Sequence, residues 1–267
     1  MRPALPLLAL LAACTRVTDA ERLGDRAYVA GRYADAATAY QAAVGTGAGA
    51  PLQARYAQAA WHAGRLRDAA RAWAAVAADD PTRAVEAADG LELVARDAAR
   101  QQDVPALREA VFGLLAAAPD RPLGVHALAL ATAGPLGAAD GVAVLPAALA
   151  AAPDPSTVDV LLATWGEALR ETGACEPAID AFRAVIRRSG QPDLRARADL
   201  GTAHCAVRLG ANALDAGAAD IARRWLELAV ATDSAGEAGR AAALLLARLP
   251  TDEPVADSTA GPDEETP

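Results

Sequence analysis

The sequence predicts an all-α protein: an α-solenoid of about six helix pairs, closed by a C-terminal capping helix. Three observations carry that expectation. The 267 residues are 53% hydrophobic but only 4% aromatic, and 76 of them are alanine, the residue with the best intrinsic helix propensity. β-Branched residues are sparse from Thr15 to Pro250. Chain breakers recur at Gly45-Thr46-Gly47, Asp79-Asp80-Pro81, Ala118-Pro119-Asp120, Pro153-Asp154-Pro155 and Ser189-Gly190-Gln191-Pro192. A period of roughly 35 residues leaves room for two helices between breaks, which is the signature of stacked supersecondary units. With so few aromatics, the core has to come from helices that approach closely.

The chain opens MRPALPLLALLAAC. Arg2 is followed by an apolar run from Ala4 to Ala13. This is shorter than the ~20 residues a bilayer-spanning helix needs, and it suits the apolar region of an export signal. Leu11-Ala12-Ala13-Cys14 resembles the lipobox of bacterial lipoproteins. The resemblance implies a signal peptide over 1–13, cleavage before Cys14, and acyl chains on its thiol and amine. It thus implies a lipid anchor in the bacterial cell envelope, and Thr15 at the next position points to the periplasmic face of the outer membrane. The single arginine and Pro6 also fit another reading, a cytosolic protein with an apolar N-terminal tail.

Residues 14–81 hold the clearest repeat. Gly31-Arg32-Tyr33-Ala34-Asp35-Ala36, followed by Tyr40 and Ala43, returns as Gly64-Arg65-Leu66-Arg67-Asp68-Ala69, followed by Trp73 and Val76. Leu23-Gly24 opens the first copy and Pro81 closes the second. Within 153–250, a copy with Trp165-Gly166, Gly173, Ala178, Phe182 and Val185 precedes one that begins at Leu200-Gly201. In this last copy Gly210–Ala219 reads as a lengthened turn before a helix over Ile221–Ala231. These residues resemble the tetratricopeptide repeat (TPR), with Leu-Gly in the first helix, Ala-x3-aromatic in the second and Pro at the end. Small residues let the paired helices approach, the aromatic wedges between neighbouring pairs, and Gly opens the turn.

Between Thr82 and Ala152 the motif nearly vanishes. Four helices near 82–100, 103–118, 120–133 and 138–151 fit either two degenerate pairs or a small separate bundle. Ser234, with Glu237 three residues on, predicts a capping box for a last helix running to Arg248. Residues 251–267 carry six acids, no base and three prolines, and read as an acidic disordered tail.

Composition excludes several chemistries. All 25 basic residues are Arg, so there is no P-loop lysine, no Schiff-base lysine and no kinase-type ATP lysine. A net charge of -9 argues against nucleic acid as a partner. His62, His126 and His204 lack metal-ligand spacing, and none of the four serines lies in GxSxG. No catalytic residue, metal or cofactor is therefore expected. Cys175 and Cys205 fall in adjacent units. They form either a disulfide closing a loop of about 30 residues or a pair of buried free thiols.

The TPR resemblance implies a concave groove lined by first helices. It is assigned to Arg22, Asp25 and Tyr28, to Arg55, Gln58, Trp61 and His62, to Thr164, Glu167, Arg170 and Glu171, and to Asp199 and Thr202. Tyr28 and Trp61 with Arg22 and Arg55 are the expected anchors, because aromatics and Arg dominate interface energetics. A peptide segment would lie there with acidic groups facing the arginines. The expected function is a non-enzymatic scaffold or adaptor lipoprotein of the envelope, similar in plan to TPR lipoproteins that serve outer-membrane or secretion-complex assembly. Its partners would be a protein held in the groove and the membrane held through Cys14. The alternatives are a cytosolic TPR regulator, or an envelope enzyme or glycan-binding accessory using 82–152 and His126. The oligomeric state is not legible.

Overall fold

A computed structural model describes residues 19–45 and 49–249. Cys14 and its lipobox, like the acidic tail 251–267, lie outside the described residues. Among the described residues the protein is all-α, with thirteen α-helices and no strand. They are α1 (residues 19–29), α2 (Tyr33–Val44), α3 (Ala50–His62), α4 (Leu66–Asp79), α5 (Ala84–Gln101), α6 (Val104–Ala117), α7 (Gly124–Ala133), α8 (Ala138–Ala150), α9 (Pro155–Thr172), α10 (Cys175–Arg188), α11 (Pro192–Asp215), α12 (Ala219–Thr232) and α13 (Glu237–Leu246). The chain forms two compact units that divide between Trp165 and Gly166, within α9.

In the first unit, each helix from α2 to α8 packs on its sequence neighbour. In addition, α3 meets α5, α5 meets α7, and α4 meets α6. Helices α3, α5 and α7 thus adjoin in one row, and α4 adjoins α6 in another. In the second unit α10 packs on α11, α11 on α12, and α13 against both α11 and α12.

One turn geometry recurs. Gly31, Gly64, Gln102, Gly173 and Gly217 all take φ between 57° and 96°. At each, the N–H bonds the carbonyl three residues back, and the next N–H reaches back five, as in Gly31 to Tyr28 and Arg32 to Ala27. These left-handed residues end α1, α3, α5, α9 and α11 and satisfy their last carbonyls. The α5/α6 turn keeps this geometry although Gln102 replaces glycine.

A second recurrence is a large side chain of an even-numbered helix laid on a glycine of an odd-numbered one. A Cβ on Gly24 would lie 2.5 Å from Tyr40, one on Gly90 2.3 Å from Trp73, and one on Gly201 2.4 Å from Phe182. More than half of the buried apolar residues are alanine, so the helices meet at short range and the few aromatics fill the junctions.

Aspartates at the breaks act as caps. Asp80 accepts from Thr82 N at 3.0 Å, Asp103 from Ala106 N at 3.1 Å and Asp154 from Thr157 N at 2.9 Å.

Two local expectations are corrected. Ser234 does not cap the last helix. The helix starts at Glu237, and the Asp233 carboxylate accepts from Ala238 N at 3.1 Å and Gly239 N at 3.4 Å, because a charged acceptor is the stronger partner for a helix N-terminus. Nor is Gly210–Ala219 a long turn. α11 continues through it to Asp215, because its alanines sustain the helix and Gly210 leaves room for Leu226, whose Cγ would be 2.6 Å from an added Cβ.

Candidate functional site

The odd-numbered helices of the first unit bury one stripe and leave the opposite face free. On α3, Ala54, Ala57 and Ala60 are buried, which turns Arg55, Gln58, Trp61 and His62 away from the core. On α5 the buried Ala87, Leu91, Val94 and Ala98 leave Val85, Glu86, Asp89, Leu93 and Arg96 on the other side. Three hollows follow these faces. One of about 270 Å³ lies between α1 and α3, lined by Asp25, Tyr28, Val29, Tyr40, Arg55 and Gln58. The largest, about 520 Å³, lies between α3 and α5, with Trp61, His62, Trp73, Val85 and Leu93 among its walls and Gln58, Arg83, Glu86 and Asp89 among its polar lining. The third, about 310 Å³, lies between α5 and α7 and is lined by Asp89, Glu92, Leu93, Arg96 and His126. Gln58 belongs to the first two hollows, and Asp89 and Leu93 to the last two, so the three adjoin in a row that outlines a groove.

Its charges are engaged within the chain. Arg55 contacts Glu21 at 2.7 Å and Asp25 at 3.4 Å, and Asp25 also accepts from the Tyr40 hydroxyl at 2.7 Å. Burial, then that hydrogen bond, pushes the Tyr40 phenol well above its ordinary pKa. Arg83 grips both oxygens of Glu86, at 2.7 and 2.8 Å, and keeps a buried Nη1 with no acceptor. Arg121 bridges Asp89 at 2.6 Å and Glu92 at 3.1 Å. Arg96 lies 4.0 Å from Asp97, which also pairs with Arg100 and accepts from Trp61 Nε1 at 2.9 Å.

Aromatic rings gather at the α1/α3 end. His62 stacks on Tyr33 at 4.6 Å, Tyr28 meets both edge-on at 5.2 and 5.9 Å, and Trp61 lies 4.7 Å from His62. Exposed valines also stand on the bordering helices: Val29 on α1 is 88% exposed, Val85 on α5 72% and Val125 on α7 69%. At the far end burial holds the His126 imidazole below its ordinary pKa, with Arg96 adding to that effect and Glu92 opposing it.

Of the residues expected to line a groove, Asp25, Tyr28, Arg55, Gln58, Trp61 and His62 come together here. Arg22 is exposed and lines none of the three hollows. Glu167 and Arg170 belong to the second unit, where they line a hollow of about 160 Å³ with Arg197, Leu200, Gly201 and His204. There Arg197 holds Glu167 at 2.8 Å, and Arg170 pairs with Glu171 at 3.4 Å. Thr202, expected on a groove face, is 3% exposed. The α5 lining was missed because no TPR residues mark that helix, although its buried stripe fixes which side is free.

Cys175 and Cys205 are free thiols, both buried. They touch. Burial, followed by the hydrogen bond with Cys175, pushes the Cys205 thiol up to about 12. Among the described residues no three His, Cys, Asp or Glu side chains are placed to hold a metal ion, and no helix is long and apolar enough to cross a membrane. Compared with known protein families and with curated proteins, the chain matches none.

Proposed function

We propose that the protein is a non-enzymatic adaptor of the TPR type, whose groove along α1, α3, α5 and α7 holds a segment of another protein. The observation that carries this reading is the row of three adjoining hollows across four helices, walled by Tyr28, Trp61, Val85 and Leu93. The recurring left-handed turn and the glycine–aromatic junctions support the repeat family. So does the packing of α5 and α6 on α4, which supports reading the motif-poor middle as a continuation of the stack and a source of groove residues.

The Leu11-Ala12-Ala13-Cys14 resemblance supports a lipid-anchored place in the bacterial envelope, with more than one acyl chain giving firm attachment. Such a compartment is oxidising, and there the touching Cys175 and Cys205 would close to a disulfide.

The test is affinity purification of the full-length protein from detergent-solubilised envelopes of its own organism, with intact-mass analysis. The expected result is an acylated Cys14, a mass two hydrogens below that of the dithiol, and a reproducible protein partner whose capture Trp61→Ala abolishes. An unprocessed Met1 in the soluble fraction would overturn the anchor. Two free thiols in envelope protein would overturn the disulfide, and capture indifferent to Trp61→Ala would overturn the groove.

A further inference from the structure

The groove's unmet chemistry defines what it takes, and this inference rests on the adaptor reading above. Every guanidinium and carboxylate lining the three hollows has a charged partner within the chain, although Arg83 keeps its buried Nη1 without an acceptor: Asp25 with Arg55, Arg83 with Glu86, Asp89 and Glu92 with Arg121, and Arg96 with Asp97. An acidic segment would have to pull Arg55 from Glu21 and Asp25, or Arg121 from Asp89 and Glu92. A basic segment would compete with the same arginines for those carboxylates. Each exchange breaks one solvent-facing ion pair to make another, so charge supplies no net attraction.

Apolar surface is what stays uncovered. Val29, Val85 and Val125 stand exposed on three of the four bordering helices, whereas Val76, Val94, Val111 and Val144 are fully buried. The middle hollow offers the largest apolar wall of the three, with Trp61 and Leu93 at its sides and Trp73 behind. Covering such surface is favourable in proportion to its area and is insensitive to salt screening.

We infer that the groove of the first unit binds an uncharged segment of a partner protein through large apolar side chains, one of them seated between Trp61, Val85 and Leu93. Packed neighbouring helices lie about 8–10 Å apart, and a polyproline II segment advances about 3.1 Å per residue with three residues per turn. Successive hollows therefore take every third residue of a segment in that conformation.

Three fluorescein-labelled peptides test this on the full-length protein by anisotropy. All carry leucine at every third position; the spacers are Ser and Gln in the first, with Asp in the second and Arg in the third. The Ser/Gln peptide should bind tightest and change less than about twofold between about 50 and 500 mM NaCl. Trp61→Ala and Val85→Asp should each weaken it by about tenfold or more, while Leu244→Ser, on an exposed face of the second unit, leaves it unchanged. Val85 is exposed, so its variant keeps the test valid if Trp61→Ala lowers helicity. Tighter binding of the Asp or Arg peptide, lost in salt, would overturn the inference, as would no saturable binding of the Ser/Gln peptide. If native-partner capture still depends on Trp61 in either event, the groove stands and only its apolar preference falls.

Discussion

Gly90 has no room for a methyl group. An added Cβ would sit 2.3 Å from Trp73 Cε2, and that indole is 4% exposed and held in the core. Gly90→Ala should therefore cost at least about 1–3 kcal/mol, the range for overpacking a fixed core, read as a lower urea midpoint at unchanged slope. His126 carries a pH dependence of definite sign. Its folded pKa lies below the ordinary value because burial disfavours the imidazolium. The unfolded chain then binds its proton first, so the stability this histidine contributes above about pH 6.5 is lost as pH falls through the folded value. Urea midpoints between about pH 7.5 and 5 should decline less in His126→Gln than in the parent. At this scale the sequence was legible where residue type is distinctive, as with Tyr28 and Trp61. It was not legible for Arg55, whose acidic partners lie 34 and 30 residues away. Only the stacking of α1 on α3 brings them together, so a residue expected to face a partner is instead tied down.

The turns carry the clearest signal among the elements. Four of the five left-handed positions that end helices are glycine, and the fifth, Gln102, has φ 57°. A side chain is strained there, so Gln102→Gly should stabilise the protein by roughly 0.5–1 kcal/mol once the greater chain entropy of glycine is set against the relief. A fall in the thermal midpoint would contradict the shared geometry of the turns. The cap of α13 is a second case. Asp233→Ala removes the acceptor for Ala238 and Gly239 and should cost about 0.5–2 kcal/mol, while Ser234→Ala should be close to neutral. Helix positions in the motif-poor middle were readable from breaker spacing alone, because two helices and their turns fill the interval. The end of α11 was not. Gly210 and Gly217 look alike in sequence, yet one lies under Leu226 inside a helix and the other ends it. Only packing separates the two roles.

Across the molecule, the chain divides between Trp165 and Gly166 into two units with their own cores. One core joins residues such as Trp73, Leu91 and Leu145; another, in the second unit, joins Ala206, Leu226 and Ala242. Stability in stacked helix pairs is local, set by each pair and its nearest neighbours. Hydrogen exchange at rising urea should therefore find peptides from 19–165 and from 166–249 losing protection at different concentrations. Simultaneous loss would make the chain one cooperative block. Alanine abundance announced the all-α class, but the division is invisible in sequence because it falls inside an unbroken helix, α9. The alanine-built interior also changes how this protein can be dissected. Where most core positions already end at Cβ, truncation scanning returns little, since there is nothing left to cut away. Enlargement is the informative perturbation here: a valine scan along α3 and α5 would trace the contact map methyl by methyl, with each loss of stability marking a place where two backbones nearly touch.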